Sequence, residues 1–160
     1  MTQSMEEVIN PGDVVLTFKN FHRVSYKKGD ILAFQQGGNR TTFIKRVYAV
    51  AGDTLKLLRN HISINGQEIP HDPVFEMMIE ESDYPDSAGY FSAIKYSKYL
   101  LRKSIKPSQE SQNIIENGNA ITVPEDHYFM VGDNYYESMD SRFWGFIPKK
   151  NIKGKIIWIF

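Results

Sequence analysis

The sequence predicts a mostly β protein: an antiparallel β-sheet or barrel-like core carrying a small inserted cap that contains α structure. Three observations point there. Short runs rich in β-branched and aromatic residues recur in both ends of the chain, each bounded by glycine, asparagine or proline. Asn65-Gly66, between two such runs, has the composition of a two-residue hairpin turn. Between Pro70 and Gly118 the alternation disappears, and helical spacing and then a polar stretch take its place.

Taken in order, Asp13–Lys19, Ile31–Gln36 and Thr41–Val50 read as the first three strands. Thr54–Leu58 and His61–Ile64 follow, and the Asn65-Gly66 turn leads back into Gln67–Ile69. Ala120–Val123 and His127–Val131 flank a second turn at Pro124-Glu125-Asp126. Ile152–Phe160 reads as a closing strand. Its last residues, Ile156–Phe160, have two readings, a core strand (preferred) or a membrane-facing surface, since Trp and Phe suit both. In the middle, Tyr90, Phe91, Ile94, Ser97 and Leu101 recur at helical spacing, which predicts one amphipathic helix within Gly89–Ser104. The polar stretch Lys106–Asn119 reads as a loop. The expected division is therefore a core from residues 1–70 plus 119–160, with 71–118 inserted as a cap.

Composition narrows the function. Lys+Arg and Asp+Glu both number 19, so no basic excess speaks for nucleic acid, and none is expected as a partner. The chain has no cysteine, which removes disulfides and thiolate metal sites. Its four histidines, His22, His61, His71 and His127, lack ligand-like spacing, so neither metal nor cofactor is expected. No apolar run approaches the roughly 20 residues of a membrane span, and no signal-like segment follows Met1. The chain as given is expected to be soluble.

The chemistry concentrates in Gly132–Pro148. Asp133, Asp140 and Arg142 stand there among Phe143, Trp144 and Phe146, between two apolar runs. Polar groups packed among aromatics need partners, because each one left bare costs roughly 1–3 kcal/mol. The segment resembles the last conserved box of the type I signal peptidases, G-D-N-x-x-x-S-x-D-S-R-x-W-G, and meets every fixed position of it. Three more segments resemble that family in the same order. Ser4-Met5, with Gly12-Asp13 at the expected distance, is similar to the nucleophile box S-M-x-P-T-L-x-x-G-D. Gly29–Phe34 is similar to the G-D-I-V-x-F strand. Phe43–Val47, running into Ala51–Thr54, is similar to the box Y-I-K-R-V-x-G-x-x-G-D that holds a lysine base.

The resemblance implies a serine endopeptidase with Ser4 as nucleophile and Lys45 as general base, on the fold shared by signal peptidases and repressor-type proteases. The chemistry is coherent without the name. A serine hydroxyl needs a base to take its proton, and a lysine can be that base only when burial strips its charge near neutral pH. Under period-2 alternation Lys45 shares its strand face with Phe43 and Val47 while Arg46 faces the other way, which suits a desolvated amine. The resemblance further implies an oxyanion site built from the Ser4 backbone N–H, with the Thr2 hydroxyl as a second donor; a mobile terminus is the competing reading of Thr2. Ser138 matches the serine that orients the lysine. Asp140 and Arg142 match an ion pair behind the site, with Asp133 expected in the same network. Trp144 is expected as a core aromatic. Three departures stand out: Glu7 and Val8 replace proline and threonine after the nucleophile, and Tyr135–Glu137 replace R-D-N.

Family members remove signal peptides from exported preproteins, cutting after small residues at −1 and −3 on the outer face of the cell membrane. The implied partners are thus preprotein signal peptides and the membrane surface. The usual anchor helix ends just before the nucleophile; this chain starts almost at the nucleophile, so the anchor is expected to have been cut away, a soluble homologue being the lesser alternative. Two rival functions remain: a catalytically impaired relative serving as a binding or assembly module, which the departures at Glu7, Val8 and Tyr135–Glu137 favour, and a self-cleaving repressor-type domain, which no DNA-binding helical segment supports.

Overall fold

The computed structural model describes residues 4–6, 8–19, 24–36, 40–57, 62–69, 120–134 and 138–160. The expected helix within Gly89–Ser104 and the whole 71–118 insertion lie outside these residues, as do Thr2 and Tyr135–Glu137.

Among the described residues, ten strands form two antiparallel sheets. The larger has the order β1 (Val15–Phe18), β10 (Ile152–Ile159), β2 (Ile31–Gln35), β3 (Thr42–Val50), β8 (His127–Val131) and β9 (Ile147–Pro148). The smaller runs β6 (Gln67–Ile69), β5 (Ile62–Ile64), β4 (Thr54–Leu57) and β7 (Ile121–Thr122). Both are open among the described residues; neither closes into a barrel. At the β5–β6 turn, Asn65 and Gly66 both have positive φ, 54° and 78°, the backbone a two-residue hairpin of primed type requires.

The larger sheet has an apolar cluster on each face. Phe129 and Val131 of β8 point into a cluster with Leu55, Ile62 and Ile64 of the smaller sheet and with Val123 just after β7, so this cluster joins the two sheets. Tyr128 and Met130 point the other way, against Leu32, Phe34, Val47 and Ile152. A strand buried on both faces reads as a continuous apolar run, which is how Tyr128–Val131 appears in the sequence. In β3 the register against β8 slips between Val47 and Ala49, and the bulge sends these two residues into different clusters. Before the bulge the alternation is undisturbed, so Lys45 and Val47 share a face.

Two short elements go beyond the sequence reading. Helix α1 (Ser141–Trp144) is a single turn, too short for helical spacing to show, and is set by its ends. Asp140 caps it by accepting from the Arg142 backbone N–H, and Gly145 terminates it at φ 78°. Strand β9 is two residues long, one of them a proline at a sheet edge.

The closing strand forms as expected, but the preferred core reading of Ile156–Phe160 holds only for Ile156. Ile152 and Ile156 are buried, whereas Ile157, Trp158 and Phe160 are 50–72% exposed. The cause is a second bulge: Leu16 pairs with Trp158 and Thr17 with Ile156, leaving Ile157 without a partner across the ladder. Val14, Leu16 and Phe18 beside them are also exposed, which makes one apolar surface from β1 and the end of β10.

Candidate active site

Strand β3 carries Lys45 into the interior. Its neighbour across the ladder is Leu32, fully buried on β2, and Lys45 itself is 1% exposed. An amine this far from water must find a polar partner, and it does: Lys45 Nζ lies 2.5 Å from Ser4 Oγ. Burial lowers the amine from its usual 10.5 to about 8, with Asp140 and Asp133 opposing that drop and Arg142 reinforcing it. Neutral amine is therefore available near physiological pH, and the sequence-predicted pair Ser4 and Lys45 meet.

Ser4 is 4% exposed and opens a tight turn in which Val8 N and Ile9 N both donate to Met5 O. The turn leans on the segment that follows β8. Asn134 N donates to Ser4 O at 3.1 Å, and Asp133 N approaches Met5 Sδ at 3.4 Å. Gly132 fits only because it is glycine, since a Cβ there would collide with Ser4 O and with Ser138 Oγ and Cβ.

Behind the pair, Asp140 is completely buried and its oxygens are saturated. Oδ1 accepts from Arg142 Nε at 2.8 Å and Arg142 N at 3.2 Å. Oδ2 accepts from Ser138 Oγ at 2.6 Å, Arg142 Nη2 at 2.9 Å and Gly132 N at 3.0 Å. Burial alone would raise this carboxyl; the Arg142 charge and these donations outweigh it and hold it below its usual range. Asp140 and Arg142 thus form the expected ion pair.

Two expectations need correction. Ser138, expected to orient the lysine, gives its hydroxyl proton to Asp140 Oδ2, because a buried carboxylate is the stronger acceptor. Asp133, expected beside Asp140 and Arg142, instead binds Arg46 through both oxygens, at 2.8 and 2.6 Å. Alternation explains this: Arg46 points to the face opposite Lys45, and Asp133 meets it there. Trp144, expected as a core aromatic, is half-buried and packs against both apolar clusters, with its ring 4.8 Å from Phe43 and 6.0 Å from Phe34. The sequence reading missed Arg46, Gly132, Met5 and Asn134 as members of the site; all lie inside the boxes already singled out, and only the fold reveals which groups they touch.

A groove of about 460 Å³ is lined by both Ser4 and Lys45, together with Met5, Ile9–Asp13, Val15 and Thr41–Ile44. Residues Thr42–Lys45 pair with β2 on one flank, and the pairing of β3 with β8 begins only at Arg46. The groove thus runs along a stretch of β3 that β8 does not cover.

Comparisons with known proteins agree with this architecture. The family model described as signal peptidase, peptidase S26, matches residues 1–160. The signal peptidase I of Aquifex aeolicus (strain VF5) is 30% identical over 185 residues, spanning 98% of this chain and 72% of the relative. That of Pseudomonas aeruginosa is 27% identical over 183 residues, spanning 98% of this chain and 62% of the relative, so the chain is under two thirds of that protein's length. A crystal structure of a signal peptidase I from Enterococcus faecalis V583 shares the fold, with TM-score 0.52 and 22% identity over 84% of this chain and 98% of that one. By a match that runs from its first residue to its last, this chain belongs to the signal peptidase family, peptidase S26, and so to the peptidases.

Proposed function

We propose that this chain is the catalytic part of a serine endopeptidase that removes signal peptides from exported preproteins, with Ser4 as nucleophile and Lys45 as its base. The observation that carries this is the 2.5 Å approach of a 1% exposed lysine amine to the Ser4 hydroxyl. As a neutral amine, Lys45 takes the Ser4 proton while Oγ bonds to the scissile carbonyl carbon. The oxyanion is stabilised by the Ser4 backbone N–H, with the Thr2 hydroxyl as the second proposed donor; losing one such donor typically costs on the order of 10²–10³ in rate. The ammonium of Lys45 then gives its proton to the departing amine as the C–N bond breaks, leaving an acyl-Ser4 ester. Deprotonated once more, Lys45 activates a water that hydrolyses the ester and frees Ser4.

The groove supports an extended substrate. A peptide laid along Thr42–Lys45 adds a strand where β8 is absent, so backbone bonds give affinity whatever the sequence. Side chains at alternate positions then enter the groove, which fits a preference for small residues at −1 and −3.

The apolar surface of Val14, Leu16, Phe18, Ile157, Trp158 and Phe160 supports action at a membrane. The proposed location is the extracytoplasmic face of the cell membrane. Among the described residues no helix is long and apolar enough to cross it. The division into a catalytic core and a 71–118 cap remains part of the proposal.

The test is cleavage of a precursor with an Ala-x-Ala site by detergent-solubilised protein. Wild type is expected to cut after the second alanine, and Ser4→Ala and Lys45→Ala to lose the activity. Equal cleavage by those variants overturns the serine/lysine mechanism. Failure of both the wild type and a membrane-anchored form to cut any precursor points to a binding module instead.

A further inference from the structure

The nucleophile turn belongs to neither sheet. Among the described residues of the turn, Val8 N and Ile9 N donate to Met5 O, bonds that fix its shape but not its place. The loop after β8 helps to set its place relative to Lys45. Within that loop Asn134 grips the turn on both sides of Met5. Its backbone N–H donates to Ser4 O at 3.1 Å, and its side-chain Nδ2 donates to Glu6 Oε2 at 3.4 Å. The loop is in turn registered on the base: Gly132 N is bonded to Asp140, and Asp133 is locked to Arg46, the residue after Lys45.

From this we infer that Asn134 and Glu6 form a positioning clasp that sets the Ser4 hydroxyl against the Lys45 amine. This rests on the proposed roles of Ser4 and Lys45. The family pattern has at position 7 a proline, which would stiffen the backbone just after the nucleophile; this chain has Glu7 there. A side-chain bond across the turn from the neighbouring position 6 supplies restraint of another kind. Restraint of this sort acts on the chemical step, because reacting groups misplaced by about 1 Å lose on the order of 100-fold in rate. Neither Asn134 nor Glu6 is within the wall of the groove, so substrate affinity is left to other residues.

Two readouts test the clasp on the full chain. With a precursor peptide, Asn134→Ala and Glu6→Ala are each expected to lower kcat by roughly 10-fold or more, with KM changed less than about 2-fold. Glu6→Gln keeps an accepting oxygen and is expected to recover most of what Glu6→Ala loses. The double variant Glu6→Ala/Asn134→Ala is expected to be no slower than the worse single, since both remove one bond. The second readout does not involve catalysis. The chain has no cysteine, so Ser4→Cys introduces a single thiol beside the Lys45 amine. Its alkylation by iodoacetamide as a function of pH reports how well the two groups meet, since a nearby ammonium lowers a thiol pKa from about 8.5. Adding Asn134→Ala or Glu6→Ala is expected to move that profile toward an ordinary thiol. An alkylation profile unchanged by both additions overturns the clasp, and so does an equal effect of Glu6→Gln and Glu6→Ala on kcat. Cleavage that survives Ser4→Ala overturns the peptidase mechanism instead, while the alkylation profiles still decide on the clasp.

Discussion

Arg142, bound to both carboxylate oxygens of Asp140, offsets part of the charge by which Asp140 favours the ammonium form of Lys45. Burial outweighs what remains, and the amine falls to about 8. Cleavage should therefore rise with pH through about 8 and level off above it, as the neutral base fills. The acid limb of kcat/KM measures this, and a rate that is flat from mildly acidic to alkaline buffer excludes Lys45 as the base.

The same shift links to stability. Folded Lys45 holds its proton less tightly than unfolded, so between about 8 and 10.5 the unfolded chain binds more protons. This term therefore makes the fold more stable as pH rises through that window, and its full penalty is present below it. The penalty is on the order of 3 kcal/mol, at about 1.36 kcal/mol per pKa unit. Lys45→Met keeps most of the volume without the amine. It should abolish cleavage yet stabilise the protein by on the order of 2–3 kcal/mol at pH 7, the gain shrinking towards pH 10.5. Urea unfolding of both proteins at several pH values checks this; a variant less stable than wild type at pH 7 contradicts it.

Arg142→Met should act in the opposite direction on the amine. With the guanidinium gone, Asp140 is a buried carboxylate facing Lys45, so the acid limb of the rate profile should move to higher pH. Stability should fall by about 3–5 kcal/mol, the usual cost of leaving one buried charge unpaired. Asp140→Asn/Arg142→Met removes both charges and should recover much of that loss, with a rate profile closer to wild type. In the native chain the Asp140 carboxyl titrates below its usual 3.8, so the stability it contributes is complete above that pH and is lost as pH falls further.

How much of this was readable in the sequence depended on the range of each interaction. Strands such as Thr42–Val50 and Ile31–Gln35 were legible from their β-branched and aromatic residues, and in Thr42–Val50 burial also imposes a period of two. Alternation also placed Lys45 and Arg46 on opposite faces. What it could not show is where each face points. Asp133 and Asp140 lie seven positions apart and read as one acidic network, yet Asp133 pairs with Arg46 of β3 and Asp140 with Arg142 two residues on. The four-residue helix and the two-residue β9 are set by an Asp140 cap, a Gly145 stop and pairing with β8, none of which leaves a periodic trace. The exposed end of β10 followed from a bulge, and a one-residue slip in register is invisible to composition.

Gly132→Ala tests how tightly the nucleophile turn is fitted. The backbone of Gly132 is not in the left-handed region, so the objection to a side chain is space alone. A methyl group would meet Ser4 O and the Ser138 side chain, whose hydroxyl is already committed to Asp140. One of them must move. Displacing Ser4 pulls the hydroxyl from Lys45, and displacing Ser138 disturbs Asp140. Destabilisation of about 1–3 kcal/mol is expected from overpacking, together with a loss on the order of 100-fold in kcat. Thermal unfolding and steady-state kinetics check both, and a variant with wild-type kcat would show that the turn has slack.

The apolar surface makes the remaining prediction. Leu16 and Trp158 are cross-strand partners, and Val14 and Phe160 exchange both backbone bonds beside them, so these four side chains stand on one face. Side chains 51–72% exposed contribute little to folding, and a contiguous exposed apolar patch is a candidate binding surface. Leu16→Ser/Trp158→Ser/Phe160→Ser should leave stability within about 1.5 kcal/mol, three surface changes of up to about 0.5 each. Cleavage of a short soluble peptide should also be unchanged, because none of the three lines the groove. Co-sedimentation with phospholipid vesicles should fall several-fold, and cleavage of a vesicle-bound precursor should fall with it. Undiminished vesicle binding by the triple variant removes this surface from the membrane, whatever becomes of the chemistry at Ser4.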